Sequence, residues 1–437
     1  MLSKTTWCAA IALASAASVA TAAKFQLETA MATKTAYWDQ SKDPLDVFDE
    51  FVEELEKEDE DKYSLVQIQS VVRHGTRYPT KSNIKEIDAF LKMLQTNYSS
   101  VIPSWMRTYQ LPYNVSIEGI LSSTGSTELK NYGQRMRLSV GKSIPVSYSS
   151  DKFVLQHTYK SRTKDSATSF ASVFFQNAAN VTYIEHPEGN DRLLRFFDEC
   201  PRYTRDVADN ENATSELTQY KSSSAMLKTV DILRSKLNLP STAPLTVADV
   251  ETAYSACSFD LALFHRKDNW CTIVTEDLVK AVEYAEDLET YYTESHGYKI
   301  NYEIASVLLR DIVQYMTDFT QNKTSVVGNF RFAHGETTMP LMTLLGYVDR
   351  TKLRADFSPR AIEKRKFRTS RLALFMANLE FRLYQKKRNG EFYVQVRVNE
   401  LPTEIPGCDD VFCKLSEVQD IWKTYLESYD FDKECSV

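Results

Sequence analysis

Residues 63–80 leave this chain little choice of fold. The stretch reads Tyr-Ser-Leu-Val-Gln-Ile-Gln-Ser-Val-Val-Arg-His-Gly-Thr-Arg-Tyr-Pro-Thr, an apolar run that ends in a knot of polar side chains. Leu65, Val66, Ile68, Val71 and Val72 have the spacing of a strand that becomes buried toward its end. There the chain presents Arg73, His74, Gly75 and Arg77 within five residues. Gly75 is expected to relax the backbone where the strand turns, and Pro79 to stop any return to the ladder. Two guanidiniums flanking one imidazole suit a phosphate dianion and a nucleophile in a single pocket. A histidine beside one arginine carries little information, since most such pairs are surface or core features. Arg-His-Gly-x-Arg behind an apolar strand is much rarer, and its context favours function.

The same grammar recurs far along the chain. Val326-Val-Gly-Asn-Phe-Arg-Phe-Ala333 reads as a second strand, and it runs into His334, Gly335, Glu336 and Thr337. Strands of an open α/β sheet deliver such side chains to one crevice at their carboxyl ends. A third short strand, 153–157, leads to Arg162, which can reach the same place. Arg73, Arg77 and Arg162 are the expected phosphate ligands and His74 the nucleophile. His334 should help stabilise the phosphoryl oxygens, and Glu336 is the available proton donor to a leaving alkoxide. The positive field should keep His74 neutral below its usual value of ~6.5. Such a set requires no metal and no cofactor. His157, at the end of the third strand, is a weaker candidate for the pocket. His186, His265 and His296 read as structural or surface residues. Cys200 with Arg205 lacks the phosphate loop of a cysteine phosphatase, and Asp430-Phe-Asp432 lacks the strand an aspartate nucleophile needs.

At 437 residues the chain exceeds one ordinary core, so two subdomains are expected. The fold class expected is α/β, with strands before residue 186 and after residue 324 and an almost wholly helical block between them. Helical runs read at 83–96, 222–238, 246–256, 274–294 and 301–319, and a strand at 391–398. The division is therefore a signal peptide over 1–22, an extension over 23–62, an α/β part over 63–185, an inserted helical part over 186–324 and a second α/β part over 325–437. Within the extension, Asp43 and Pro44 open an amphipathic helix with Leu45, Phe48, Phe51, Val52 and Leu55 on its apolar stripe.

Lys4, the apolar run from Trp7 to Val19 and Ala20-Thr21-Ala22 make up a secretory signal with its cleavage site. No second apolar segment approaches spanning length, so an exported protein free of the membrane is expected. Once Cys8 has left with the signal, six cysteines remain, an even number that in this compartment favours disulfides. Short spacings suggest Cys257–Cys271 and Cys408–Cys413, which leaves Cys200 for Cys435. Asn97, Asn114, Asn180, Asn212 and Asn322 head glycosylation sequons. The net charge of −7 conceals local fields, because residues 43–61 hold eleven acids and one lysine. Residues 350–371 hold nine arginines and lysines against Asp356 and Glu363. Such a run is as readily a solvated face as a binding surface. Lys81, Arg365, Lys366 and Arg368 are the candidates for contacting further phosphates at the rim. No nucleic-acid partner is implied, and a monomer is expected.

Arg73-His74-Gly75-Thr76-Arg77-Tyr78-Pro79-Thr80 resembles the signature of the histidine acid phosphatases. His334-Gly335-Glu336-Thr337 resembles the His-Ala-Glu-Thr motif of the multiple inositol-polyphosphate phosphatase branch, whereas the fungal and bacterial phytases place Asp directly after that histidine. Thr33–Tyr37, Leu193–Cys200, Cys257–Ala262, Trp270-Cys271, Gly297-Tyr298, Phe367–Ser370 and Asn378 are also similar to that branch, so the likeness spans nearly the whole mature chain. It implies a phosphoglycerate-mutase-like α/β domain with an inserted helical domain, a phosphohistidine intermediate and a protonated glutamate as acid. Inositol hexakisphosphate and lower inositol phosphates are the implied substrates, with 2,3-bisphosphoglycerate beside them. Three departures stand out: Gly335 in place of alanine, the acidic stretch before the signature, and the lack of the ER-retrieval tail of animal members. The last favours secretion. A broad acid phosphatase and a non-catalytic inositol-phosphate binder are the alternatives, and a pure binder has no use for His74 or Glu336.

Overall fold

The computed structural model describes residues 25–37 and 62–437. The expected signal peptide and the acidic helix over 43–61 lie outside the described residues. The described residues form one mixed sheet of eight strands. These are β1 (Tyr63–Arg73), β2 (Phe153–Thr158), β3 (Ile184–His186), β4 (Gly328–Ala333), β5 (Asn378–Lys386), β6 (Phe392–Val398), β7 (Leu401–Thr403) and β8 (Cys413–Lys414). Their order is β3-β2-β4-β1-β5-β6-β7, with β8 beside β6. The four strands from β3 to β1 are parallel, and those beyond β1 are antiparallel to their neighbours.

Parallel strands need covered faces, and the longer helices supply the cover. They are α1 (Lys81–Tyr98), α2 (Ser123–Val140), α3 (Ser161–Phe174), α4 (Ser215–Lys221), α5 (Ser224–Lys236), α6 (Val247–Phe264), α7 (Glu276–Glu294), α8 (Ser306–Thr320) and α9 (Gly335–Leu344). On one face, Ile68, Val72, Phe153, Leu155, Phe330 and Phe332 pack against Leu129, Tyr132 and Met136 of α2 and Phe170 and Phe174 of α3. Each such side chain contributes ~1.5–3 kcal/mol when fully buried. On the other face, Gln67 and Gln69 donate through their amides to the Tyr315 and Ile312 carbonyls of α8. That bonding keeps two amides inside a core without an unpaired donor.

Helices α4 to α8 fill the chain between β3 and β4, where the sequence led us to expect an inserted block. Their apolar side chains join those of α9 and β5 in one continuous core. We propose residues 186–324 as the inserted unit, and its core is shared with the sheet rather than closed on itself.

Two local readings differ from expectation. Strand β5, beside β1 at the centre of the sheet, was not read from the sequence, although Leu379, Phe381 and Leu383 alternate with Asn378, Glu380 and Arg382. Glu380 and Arg382 are both buried there and bridge at 2.8 Å, and Tyr132 donates to Glu380 at 3.2 Å. Both faces of the strand are therefore buried, and the charged face is kept there by this pairing. Gly75, in turn, does not adopt a positive φ. A Cβ there would lie 2.6 Å from the Gly125 carbonyl oxygen and 2.6 Å from Leu129, so this glycine admits α2 against the signature loop.

Candidate active site

Register brings the two histidines together. Arg73 of β1 pairs with Ala333 of β4, so the residues that follow, His74 and His334, leave the sheet side by side. The His74 amide donates to the Ala333 carbonyl at 3.0 Å, and the imidazole centroids are 5.6 Å apart. On the far side of β4, β2 ends in Thr158, whose hydroxyl lies 2.9 Å from His334 Nε2. Arg162 stands in the first turn of α3, with Nη2 at 3.4 Å from His334 Nδ1. The structure thus gathers Arg73, His74, Arg77, Arg162, His334 and Glu336 at the carboxyl ends of three parallel strands.

Each group is held in a defined state. His74 Nδ1 is 2.9 Å from the Gly75 carbonyl, which fixes the proton on Nδ1 and leaves the Nε2 lone pair free. Burial, then Arg162 and Arg73, hold its pKa well below the ordinary imidazole value. His334 is depressed in the same way by burial and by Arg162. Burial and the mutual repulsion of the guanidiniums lower Arg73 to about 10 and Arg77 to about 9. That crowding of cations is what an anion relieves. Arg73 Nε and Arg162 Nε are buried and have no partner among the described residues.

Arg73 is clasped from behind. Its Nη1 donates to the Thr33 carbonyl at 2.7 Å and to the Ala373 carbonyl, and the Phe375 ring stacks 4.7 Å from the guanidinium carbon. Glu128, buried in α2, accepts from the Thr76 amide at 2.7 Å and the Thr76 hydroxyl at 2.8 Å. It also accepts from the Tyr37 amide at 3.2 Å. The segment 31–37 therefore braces the signature loop. Glu336 lies in the first turn of α9 with its side chain exposed, and the amino end of that helix adds its partial positive charge. A Cβ at Gly335 would meet Arg73 Nε at 3.5 Å, an ordinary contact, so the site has room for an alanine there.

The other expectations separate. Lys81 is exposed at the start of α1, and its amide donates to Glu118, whose charge bears on Arg77 and Arg162. Arg365 does not serve as a rim residue. Its side chain is 2% exposed and its guanidinium is occupied by Asp287 at 2.6 Å and Glu283 at 2.8 Å. Arg368 is tied to the same Glu283 at 3.0 Å, and Lys366, though exposed, acts on Asp349. His157 turns away from the pocket, with Nδ1 at 2.8 Å from the Thr158 carbonyl and its ring against Tyr183.

Arg195 was not singled out from the sequence. Its charge bears on both His334 and Arg162, it lies over Tyr159 at 5.3 Å and Phe197 at 5.0 Å, and its Nε donates to Asp198 at 2.5 Å. Thr337 of the catalytic helix donates to the Leu194 carbonyl at 2.6 Å and so seats this loop against the site. Lys160 Nζ lies over the ring of the adjacent Tyr159, 4.3 Å from its centre. The only signal in the sequence was that Arg195 falls inside the Leu193–Cys200 segment.

Parallel strands ending in two histidines and a ring of guanidiniums define a phosphoryl-transfer protein of the α/β class. Residues 64–399 match the family described as "Histidine phosphatase superfamily (branch 2)", and the chain belongs to it and is a phosphatase. It is 27% identical over 384 residues to "Multiple inositol polyphosphate phosphatase 1" of Gallus gallus, covering 85% of this chain and 84% of that one. Its fold is similar to the crystal structure of the phytase from D. castellii, with a TM-score of 0.73, 20% identity and 85% and 82% of the two chains covered. It is similar also to that of the Bifidobacterium longum multiple inositol polyphosphate phosphatase in complex with inositol hexasulfate, with a TM-score of 0.68, 16% identity and coverage of 84% and 92%.

The three disulfides expected from spacing, Cys200–Cys435, Cys257–Cys271 and Cys408–Cys413, are formed. All five sequon asparagines are exposed. Among the described residues, no helix is long and apolar enough to cross a membrane.

Proposed function

We propose that this phosphatase removes phosphate from inositol polyphosphates through a phosphohistidine on His74. The observation that carries the reading is the surplus of cations. Arg73, Arg77 and Arg162 would surround one phosphoryl position, and Arg195, whose charge bears on Arg162 and His334, would stand beside it. A monophosphate engages only the inner three, whereas a polyphosphorylated ring offers a further anion to Arg195, which otherwise pairs with Asp198.

In the first half-reaction, His74 Nε2 attacks phosphorus in line while the P–O ester bond breaks. The guanidiniums stabilise the equatorial oxygens. His334 joins them when Thr158 donates to Nε2, since the imidazole proton then sits on Nδ1, on the same side as Arg162 Nη2. The leaving oxygen takes its proton from Glu336. In the second half, water attacks the phosphohistidine and returns a proton to Glu336. The guanidiniums supply the positive charge that a metal ion supplies elsewhere, so the reaction is proposed to be metal-independent. Export of the protein is supported by the disulfides and the exposed sequons.

The test is phosphate release from inositol hexakisphosphate between pH 4 and 7.5 with chelator present, beside p-nitrophenyl phosphate. Chelator-resistant turnover that favours the inositol phosphate is the expected result. Activity on the small ester alone would make this a broad acid phosphatase, and binding without turnover would make it a sequestering protein. His74→Ala should abolish turnover, and covalent labelled phosphate trapped on that variant would exclude the intermediate proposed.

A further inference from the structure

Thr76 lies between His74 and Arg77 in the signature loop, is wholly buried, and commits all three of its polar groups to α2 and its cap. Its amide and hydroxyl donate to different oxygens of Glu128, at 2.7 and 2.8 Å. Its carbonyl accepts from the Ser122 amide at 2.9 Å and from the Ser122 hydroxyl at 2.7 Å. The helix is seated so closely that a Cβ at Gly125 would lie 2.2 Å from the Thr76 carbonyl oxygen. Other elements hold the residues before it. The His74 carbonyl accepts from the Met376 amide at 3.0 Å, and the Gly75 amide donates to Ser166 Oγ of α3 at 3.2 Å. The setting of His74 against Arg77 therefore passes through Thr76 and α2.

Glu128 is 8% exposed, and the three groups bonded to it, the Thr76 amide and hydroxyl and the Tyr37 amide, are neutral donors. A carboxylate buried among neutral groups is costly, and burial raises its pKa against the pull of the Thr76 donors. An amide is no substitute. Both oxygens accept, so a glutamine would turn its NH2 toward the amide of Thr76 or that of Tyr37. Glu128 also lines a cavity of about 620 Å³, together with Met31, Thr35, Tyr37, Thr124 and His265. None of the six residues gathered at the phosphate pocket lines this cavity.

We propose that Glu128 is a positioning residue for phosphoryl transfer, fixing Thr76 so that His74 and Arg77 address the same phosphoryl group. The inference rests on His74 being the nucleophile, as proposed above. Glu128 acts through Thr76 and takes no part in bond making or breaking. In-line attack tolerates little displacement of the nucleophile, and a shift of about 1 Å costs on the order of 10²-fold in rate. Glu336 stands on a different helix, α9. Loss of Glu128 therefore slows attack and leaves protonation of the leaving oxygen intact.

The experiment compares Glu128→Ala, Glu128→Gln, Thr76→Val and Thr76→Ser in the full chain, on inositol hexakisphosphate, β-glycerophosphate and p-nitrophenyl phosphate. Glu128→Ala should lower kcat about 10²-fold on all three esters alike. Acetate, entering by the cavity at constant ionic strength, should restore much of that loss. It should leave unchanged both the parent and Glu128→Gln, whose amide fills the space. Thr76→Val removes the hydroxyl donor and should lose part of kcat, whereas Thr76→Ser keeps the donor and should stay near the parent. Parental kcat in a folded Glu128→Ala overturns the proposal. A loss confined to the alkyl esters also overturns it, because that would put Glu128 on the proton path, and a loss that acetate leaves untouched reduces Glu128 to packing. If Glu128→Ala does not fold, equal rates in Thr76→Val and Thr76→Ser overturn the proposal. His74→Ala separates the two levels. Turnover retained there removes the nucleophile, whereas abolished turnover beside a parental Glu128→Ala defeats only the positioning role.

Discussion

Two clusters of arginines in this molecule look alike in sequence and do opposite things. Among the described residues, Arg73, Arg77 and Arg162 surround the histidines with no ion-pair carboxylate of their own, and two of their Nε atoms are buried without partners. Arg365 and Arg368 come from the most basic stretch of the chain, yet Glu283 and Asp287 of α7 take up their charge. Asp287 also accepts from the Thr369 amide at 2.8 Å, and Glu283 from Ser370 at 2.6 Å, so this network closes on itself. The first cluster stores electrostatic strain that an anionic substrate releases, and the second holds a loop onto a helix. Charge density alone does not distinguish them; the presence of a buried carboxylate does.

The largest effect should come from breaking the neutralised cluster. Arg365→Ala leaves Asp287 buried without a cation and Glu283 with Arg368 alone, and should destabilise the fold by ~3–5 kcal/mol. Chemical denaturation measures the loss, and kcat per folded molecule should stay unchanged. Arg162→Ala reverses the pattern, with kcat lowered ~10²–10³-fold and stability equal to or above that of the parent. A melting temperature that falls as far as that of Arg365→Ala would erase the contrast.

Acid titration sharpens it further. His74 is depressed by its cationic neighbours, so between its folded value and ~6.5 the unfolded chain binds a proton that the folded chain refuses. Stability is therefore lost as pH falls below ~6.5, and His74→Asn should lose less than the parent between pH 7 and 4. The same depression sets the acid limb of kcat/KM well below the ordinary imidazole value. The smallest effect belongs to Lys366→Ala, an exposed change expected to alter stability by no more than ~0.5 kcal/mol and turnover by less than about twofold.

What the sequence made legible follows from these physical differences. His74 and His334 could be paired because each stands directly after an apolar strand, and parallel strands open on one side. The disulfides could be paired because two spacings were short. Strand β5 was passed over although Leu379, Phe381 and Leu383 alternate with polar residues; what its sequence does not announce is that Glu380 and Arg382 are buried as a pair. The fate of Arg365 was hidden because its partners lie on α7, some 80 residues upstream, with nothing local to announce them. Arg195 was hidden for a third reason: it comes from a loop, and only the packing of α9 against residues 193–200 brings it to the site.

The Cys200–Cys435 bond closes a covalent ring of the chain with a sequence separation of 235. His334 and Glu336 lie inside that ring, whereas His74 and Arg162 lie on the arm before it. A protease that nicks one peptide bond within the ring leaves a single molecule with both halves of the site still joined. A nick on the arm between His74 and Arg162 divides the catalytic set into two fragments that only packing keeps together. Limited digestion run with and without reductant would sort the two kinds of cut, and activity after each would show how far the α/β scaffold survives as a non-covalent assembly.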